Sequence, residues 1–396
     1  MIEKIFHGGK LYWGWICFLL VCVGIGVVAY ANQLQNGLIL TGMSRDVSWG
    51  LYIAQFTFFV GVAASGVMVA IPFYLHNYKE FGPMLIFGEF LAVAAVLVAL
   101  LFVITDLGYP QRLFNVILYP SPHSILFFDM CVLSSYLIVN IIVGWAAIYC
   151  ERKQIPPFKW AKVLAIIAIP LAIGIHTVTA FIYIGNPGRA YWGSAIVVGR
   201  FLSSAFAAGP ALLIMVCFIM RKFTNFDISE KALNSFGKIV AYAMSVNIFF
   251  FLLEIFASFY PNSPHHMAPI EYLFFGLNGI NQLGPFMWVA TVCAFVGVAL
   301  LIVPKWRKQH KTLFAGLFLV FLACWIDKGL GFTLGGFTPT VFGTVVDYIP
   351  NPNEICVIIG VFAIGALVLT LLYKIVIGVR NDNAQGTKKL SEVAGH

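Results

Sequence analysis

One histidine and four carboxylates stand inside long apolar segments of the chain. They are His176, Asp106, Asp129, Glu254 and Glu89. His176 lies in the middle of "IGIHTVTAFIY" (173–183), with no second histidine at helical spacing. Ionisable groups are costly in apolar surroundings and usually have a function there. Because imidazole and carboxyl groups can exchange protons near neutral pH, the pattern predicts a site with proton chemistry.

Each of these residues also has a structural interpretation, which the sequence leaves open. The alternatives are a core histidine bonded to a carbonyl at His176, a helix cap at Asp129, a helix clamp at Glu254, and interfacial ion pairs of Asp106 with Arg112 and of Asp327 with Lys328. The grouping of these residues favours a functional site more than any single member does.

The composition is that of a polytopic membrane protein. Of the 396 residues, 61% are hydrophobic and 10% are charged, with a mean hydropathy of +0.91; soluble domains have about a quarter charged residues. Apolar runs long enough to cross about 30 Å of hydrocarbon as helices recur throughout, without the alternation typical of membrane β-barrels. Ten spans are predicted, at 11–31, 49–76, 83–105, 124–149, 161–185, 201–220, 235–259, 284–304, 311–330 and 354–378. We therefore expect an all-α fold with about ten transmembrane helices, the first of them retained, since its apolar run is too long for a signal peptide.

Basic residues predict the orientation of these spans. On one side lie Arg45, Arg112, Arg189, Arg200 and Lys328. The other 19 of the 24 basic residues lie on the side that holds both termini. Since basic loops remain cytoplasmic, we expect a multi-pass protein of the cytoplasmic (inner) membrane with both termini in the cytoplasm. This bias also explains the net charge of +8, so nucleic acid is not predicted as a partner.

The orientation places most ionisable groups near the outer face. His176 lies beyond the middle of its span, and Asp129 lies about one turn into its span. Asp106 ends the third span, and Glu254 lies little more than a turn from an outer end. Glu89 lies in the inner half. The predicted site therefore opens towards the outer aqueous phase.

Cysteine and histidine usage argues against metal cofactors in this chain. None of the eight cysteines forms a CxxC or CxxCH motif, so iron–sulfur, zinc and covalent haem sites are not expected. His176 is the one histidine deep in a span, whereas a bis-histidine haem needs two on facing helices. The adjacent His265 and His266 have no third ligand nearby. We therefore predict no haem, iron–sulfur cluster or metal in this subunit.

The outer loops are long and rich in Gly, Pro and aromatic residues. They cover 32–48, 106–123, 186–200, 260–283 and 331–353. Such loops usually have a function or a covering partner. We expect the last, which is apolar, to pack on a neighbouring subunit or lie at the membrane interface. The predicted organisation is a first helix and outer loop (1–48), a four-helix bundle (49–185), a second four-helix bundle (186–330), and a loop, last helix and cytoplasmic tail (331–396).

Six motifs follow one another along the chain. They are "RDVSWGLYIAQFTFFVGVAASG" (45–66), "DLGYPQR" (106–112), "IHTVTAFIY" (175–183), "RFLSSAFAAG" (200–209), "LLEIFASFY" (252–260) and "GGFTPT…DYIPNPNE" (335–354). Together they resemble the NrfD-like family, the membrane subunits of polysulfide-reductase-type complexes, over nearly the whole chain. The first two motifs are most similar to the DsrP branch, found in complexes of sulfite-related respiration, with the HmeB and HmcC branches nearly as close.

The resemblance implies two four-helix bundles and an exchangeable menaquinone site in the first bundle, near the outer face. His176 would hydrogen-bond a quinone oxygen, and Asp129 and Asp106 would exchange protons with the ring or position it. Tyr52 and Gln55 would make further contacts with the quinone. Arg112 would either position Asp106 or contact the partner. Glu254 and Glu89 would belong to a proton path.

The implied partners are a ferredoxin-like iron–sulfur subunit docked on the outer face, further haem-bearing or iron–sulfur subunits, and the lipid bilayer. The chain would then be the quinol-oxidising or quinone-reducing subunit of a multi-subunit oxidoreductase, with proton translocation as an open addition. Two alternatives compete with this hypothesis. One is a proton-coupled transporter with helices broken at Pro170, Pro210 and Pro285. The other is a membrane anchor without a quinone site.

Overall fold

The computed structural model describes residues 2–224, 226 and 228–394, with side chains as far as residue 384. Within this part, ten helices are long and apolar enough to cross a membrane. We label them α1 (Lys10–Asn36), α2 (Leu51–Leu75), α3 (Lys79–Asp106), α4 (Ile125–Lys153), α5 (Lys159–Ile184), α6 (Ile196–Phe223), α7 (Glu230–Phe259), α8 (Gly284–Ile302), α9 (His310–Gly335) and α10 (Pro352–Ala384). The described residues form no β-strand. The prediction of an all-α, ten-span membrane protein is confirmed.

Several helices extend beyond their predicted ends, and α6 and α9 do so at the charged ends of their spans. α6 begins at Ile196 rather than at 201, and α9 continues to Gly335 rather than ending at 330. Arg200, expected in an outer loop, therefore lies inside α6, and Asp327 lies inside α9. Charges normally mark the end of a span, but here opposite charges from two helices compensate each other inside the protein.

Most of the helices pack in two rings of four. In the first ring, each of α2, α3, α4 and α5 contacts the next, and α5 returns to α2. The helices α6, α7, α8 and α9 form the second ring in the same way. Contacts of α2 with α6 and α9 join the rings, while α1 packs along α10, which also lies against α3. The division of the chain into domains at the predicted boundaries stays a prediction.

The two ends of the helices differ in their loops. Since ten spans return the chain to its starting side, both termini lie at one end, which we call the terminal face. The opposite end, which we call the long-loop face, is formed by residues 37–50, 107–124, 185–195, 260–283 and 336–351.

Irregular helix geometry occurs away from the prolines singled out in the sequence. α5 and α6 continue through Pro170 and Pro210, and Pro285 lies in the first turn of α8, where its missing N–H costs nothing. The π-helical segments are instead Ile71–Leu75 in α2 and Trp325–Gly331 in α9. The prolines therefore do not mark the helix breaks that the transporter alternative requires.

The last long loop folds back on its own chain. Phe337 packs edge-on against Trp192, and its carbonyl accepts a hydrogen bond from Arg189 Nη1 (3.1 Å). The expectation that this loop packs on a neighbouring subunit or at the membrane interface is wrong for the segment around Phe337, because that segment is buried within the chain. At the tip, Val341 and Phe342 remain 66% and 81% exposed.

Candidate functional site

One buried face of α5 carries the polar residues of the site. His176, Thr179 and Tyr183 follow one another at intervals of three and four residues, so they lie on the same side of the helix. All three are buried. His176 lies about two turns from the long-loop end of α5, in agreement with the depth predicted from sequence.

His176 has no hydrogen-bond partner among the described residues. Its side chain is 0% exposed, yet neither Nδ1 nor Nε2 is paired. Leaving a buried polar group unsatisfied costs about 1–3 kcal/mol, and nearly all buried polar groups have a partner. The core-histidine interpretation requires a bond from the ring to a carbonyl, and no such bond occurs among the described residues. The ring therefore presents hydrogen-bonding capacity to a group that the described protein does not supply.

Asp129 is bonded to a threonine one turn beyond His176. Thr179 Oγ1, one turn beyond His176 on α5, donates a hydrogen bond to Asp129 Oδ1 on α4 (2.8 Å). The helix-cap interpretation of Asp129 is wrong, since Ser124 is the N-cap residue of α4 and the carboxylate bonds across to α5. This contact brings a buried carboxylate and the imidazole to the same helix face.

Tyr183 connects this face to a second carboxylate. Its hydroxyl contacts Thr57 on α2 and Thr333 on α9, the latter at 3.2 Å. The ring lies close enough to both Asp106 and Asp129 for electrostatic interactions. Asp106 Oδ1, at the end of α3, is buried and lacks a hydrogen-bond partner among the described residues. Carboxylates from α3 and α4 therefore flank the tyrosine.

The two predicted contact residues on α2 face different neighbours. Tyr52 donates to Gln33 Oε1 (2.7 Å), and Gln33 Nε2 donates to the carbonyl of Thr105 (2.7 Å), next to Asp106. Gln55 accepts a hydrogen bond from Trp325 Nε1 of α9 (2.7 Å). The structure thus brings Tyr52 to Asp106, whereas Gln55 takes part in the contact between the rings.

Arg112 lies outside this cluster. It is exposed on the long-loop face, with its guanidinium 5.1 Å from the ring centre of Tyr109. No ion pair between Arg112 and Asp106 occurs among the described residues, so the interfacial pair considered from the sequence is not formed. A contact of Arg112 with a partner protein stays a prediction.

A second polar cluster lies in the second ring. Arg200 of α6 forms ion pairs with Glu254 of α7 and, at 2.8 Å, with Asp327 of α9. Glu254 therefore does clamp two helices, as the structural alternative held. Asp327 pairs with Arg200 and not with Lys328, so the predicted Asp327–Lys328 pair is wrong.

Glu89 lies apart from both clusters. It is 2% exposed in the first ring, near Tyr74 and Tyr136. Tyr136 in turn donates to the carbonyl of Ala63 (2.8 Å), which lies where α2 is interrupted between Val62 and Ser65. Within the described residues, no chain of hydrogen bonds connects Glu89 to Glu254. A proton path through these two residues stays a prediction.

Glu354 is a buried carboxylate that sequence reasoning missed. It lies at the start of α10 and accepts hydrogen bonds from the backbone N–H groups of Gly42 (2.9 Å) and Leu51 (3.2 Å) and from the Tyr348 hydroxyl (2.5 Å). Because Leu51 is the first residue of α2, the carboxylate stabilises the positive end of that helix. The sequence could have indicated this residue, because Glu354 is the one acidic residue between 348 and 381 and stands at the start of an apolar span.

Thr179, Tyr183 and Gln33 were also missed. The first two could have been found by extending the face of His176 three and seven residues along α5. Gln33 gave no comparable signal, because the predicted first span ended at residue 31. The observed α1 continues to Asn36 and carries Gln33 to the end of α3.

Two cavities lie away from His176. One, of about 540 Å³, opens towards the terminal face, with the Glu151–Arg380 ion pair among its lining residues. The other, of about 320 Å³, is apolar and lies between the rings and α10. Neither is lined by His176, Asp129 or Asp106. The described residues contain no group of three or more His, Cys, Asp or Glu placed to hold a metal ion.

Comparisons with known proteins identify the family. The model of the family described as "Polysulphide reductase, NrfD" matches residues 39–334. The chain is 28% identical to a putative membrane subunit of dimethyl sulfoxide reductase from Halobacterium salinarum, over 91% of this chain and 90% of the relative. It is 24% identical to the Hdr-like menaquinol oxidoreductase integral membrane subunit of Archaeoglobus fulgidus (94% and 95%), and 22% identical to the menaquinone reductase integral membrane subunit of Nitratidesulfovibrio vulgaris (91% and 90%). The resemblance read from the six motifs is confirmed, and the chain belongs to the NrfD family of membrane proteins.

Proposed function

We propose that this chain is the quinone-interacting membrane subunit of a respiratory redox complex. The observation that carries the proposal is the buried His176 ring, whose two nitrogens lack partners among the described residues, while Thr179, one turn away on the same helix face, holds Asp129. A neutral imidazole can donate to a quinone carbonyl or accept from a quinol hydroxyl. Two relatives named for menaquinol or menaquinone support menaquinone as the ligand class.

Each side chain has a defined role in this proposal. Menaquinol, when bound, would supply two electrons and two protons, and the reverse reaction would consume them. His176 binds one ring oxygen and takes or gives its proton. Asp129, oriented by Thr179, lies against the same face of α5, and Asp106 is a second proton-exchanging group, within electrostatic range of Tyr183. Oxidation of quinol and reduction of quinone use the same residues.

The long-loop face is the proposed docking surface for an outer iron–sulfur subunit. The distribution of basic residues supports an outward orientation of this face. Val341 and Phe342 project from it as exposed apolar side chains, and exposed apolar groups on a folded surface often mark protein interfaces. Arg112 lies on the same face and would contact this partner. All four similar curated proteins are named as subunits, which supports assembly with further redox subunits.

Proton translocation, with Glu89 and Glu254 as its carboxylates, completes the proposal. Both residues are buried in the membrane-spanning region, where an ionisable group is expected to have a function. The sequences of the motifs at 45–66 and 106–112 suggested the DsrP branch. Membership of that branch, and with it a role in sulfur respiration, remains a prediction.

A binding titration tests the quinone site. We expect the purified protein to bind a water-soluble menaquinone analogue, and His176→Ala to weaken binding about tenfold or more, roughly 1.4 kcal/mol. Thr177→Ala is the matched control, because the neighbouring side chain bonds its own helix at Ile173. Unchanged binding by His176→Ala would move the site elsewhere. Absence of binding by the native protein would favour the anchor alternative.

A further inference from the structure

Lys328 is a buried amine between the two polar clusters. It belongs to the π-helical segment Trp325–Gly331 of α9, about two turns before the long-loop end of that helix. The residue is 4% exposed. A lysine at this depth is costly unless its charge is compensated, and intramembrane ionisable residues are usually functional.

No carboxylate forms an ion pair with Lys328 among the described residues. Its Nζ donates to the backbone carbonyl of Phe201 (3.3 Å) and lies 4.3 Å from the centre of that ring. The neighbouring Asp327 is held by Arg200, which also binds Glu254. When charged, Lys328 has three N–H donors. Its partners among the described residues are one carbonyl and one aromatic face.

The same amino group reaches the first ring. A Cβ atom placed on Gly61 of α2 would lie 3.0 Å from Lys328 Nζ, so the absence of a side chain at Gly61 leaves room for the lysine. Gly61 follows Thr57, the partner of Tyr183, by one helical turn. Lys328 also interacts electrostatically with His176.

The charged and titratable groups around Lys328 come from three helices. Asp327 and Cys324 lie on its own helix, and Arg200 approaches from α6. His176 faces it from α5. Glu254 is one step farther away, behind Arg200. Lys328 therefore lies between the unpartnered imidazole and the Arg200–Glu254–Asp327 cluster.

We propose that Lys328 carries protons between the His176 site and the carboxylate cluster of the second ring. This inference rests on the quinone site proposed above. During quinol oxidation, both electrons leave to the iron–sulfur partner, and the two hydroxyl protons pass to His176 and to Asp129. The proton on His176 then passes to the neutral Lys328 amine, which becomes an ammonium group, and from there to the Asp327–Glu254 side. The N–H bond broken at one residue is formed at the next, and quinone reduction reverses the sequence.

Lysine and arginine differ in the property that this proposal requires. Arginine retains a positive charge but does not release its proton in proteins, whereas methionine retains an apolar chain of similar length without charge. If Lys328 were only a fixed cation on Phe201, Lys328→Arg would preserve its role. If it carries protons, Lys328→Arg and Lys328→Met should both fail.

The first readout is proton exchange on ligand binding. Calorimetric titration of the menaquinone analogue in two buffers of different ionisation enthalpy measures the protons taken up or released. We expect proton exchange in the native protein, with a fall of about half or more in both variants, while analogue affinity stays within about threefold. Retained affinity also shows that the variants are folded. Native proton exchange in Lys328→Arg would overturn the proposal.

The second readout is quinol-linked electron transfer in the purified complex. We expect both variants to slow it by about tenfold or more, with a larger solvent deuterium isotope effect. Lys311→Met is the control, since Lys311 is exposed at the other end of α9. If Lys328→Met does not fold, Gly61→Ala provides a second test, because it crowds Nζ without changing the lysine and should slow transfer in the same direction. Native rates in the folded variants would overturn the relay. If the native protein does not bind the analogue, or if His176→Ala binds it as tightly as the native protein does, the proposed function would be overturned instead.

Discussion

At the scale of single residues, the site is defined by which buried groups have partners among the described residues and which do not. His176 and one oxygen of Asp106 lack partners there, while Asp129 is held by Thr179. A buried histidine with both ring nitrogens hydrogen-bonded within the protein would need no ligand to explain it. The unsatisfied imidazole, one helical turn from the threonine that orients Asp129, instead favours a ligand that both donates and accepts hydrogen bonds.

The bond between Thr179 and Asp129 gives a direct test of this arrangement. Thr179→Val retains the shape of the side chain and removes the donor, which leaves the Asp129 carboxyl without its hydrogen bond at a cost of about 1–3 kcal/mol. We expect a lower melting temperature and weaker binding of the menaquinone analogue. Thr179→Ser retains the hydroxyl and should behave like the native protein. Equal affinity in the valine and serine variants would show that the orientation of Asp129 does not matter.

Part of the site could be predicted from the sequence. His176 and Asp129 stand out because each interrupts an apolar run, and their depths follow from the orientation of the spans. The partners of the charged residues could not be predicted, because they depend on which helices meet. Arg200 forms an ion pair with Asp327 because α6 and α9 are in contact. Asp327 is therefore not the ion-pair partner of Lys328, although the two residues are adjacent in the sequence.

At the scale of helices, α1 and α10 form a closely packed pair outside the rings. A Cβ atom on Gly26 would lie 2.4 Å from Cα of Gly360, and one on Gly360 would lie 2.5 Å from Cα of Gly26. Backbones approach this closely only where both residues are small, as is common between membrane helices. The predicted spans identified both helices, but apolar length gives no information about which helices pair.

Alanine substitution tests the contact between α1 and α10. We expect Gly26→Ala to push the helices apart and to destabilise the protein by about 1–3 kcal/mol, the usual cost of overpacking. Gly24→Ala is the control, since a Cβ there would meet no atom within 4 Å. Thermal unfolding in detergent gives the comparison. Equal melting temperatures for the two variants would contradict the close packing at Gly26.

The helix ends show the limit of sequence prediction for elements. The ten spans were found because each is long and apolar, whereas α6 and α9 were both predicted too short at the long-loop face. A charge inside a helix resembles a loop boundary when it is considered alone. Arg200 and Asp327 remain inside their helices because each neutralises the other.

At the scale of the whole molecule, the two clusters lie towards the same end of the membrane-spanning region. Asp106, Asp129 and His176 lie towards the long-loop face in the first ring, and Arg200 and the carboxylates that pair with it lie towards that face in the second. If this face is external, both clusters lie near the proposed iron–sulfur partner. The orientation of the chain therefore decides whether the quinone site lies on the side of the proposed iron–sulfur partner.

Cysteine labelling tests the orientation. We expect Phe342→Cys, at an 81% exposed position, to react with a membrane-impermeant maleimide added outside intact spheroplasts. Lys308→Cys, exposed on the terminal face, should react only after the cells are opened, because basic loops remain cytoplasmic. The native protein gives the background from its own cysteines. The opposite labelling pattern would invert the proposed topology.

The most direct test of the quinone site is to locate the ligand by photoaffinity labelling. A photoactivatable menaquinone analogue would be crosslinked to the purified protein, and the labelled peptides would be identified by mass spectrometry. We expect label in α4 around Asp129 and in α5 between His176 and Tyr183, with loss of label when unmodified menaquinone competes. Competable label confined to the residues around the Glu151–Arg380 cavity at the terminal face would contradict a quinone site at His176.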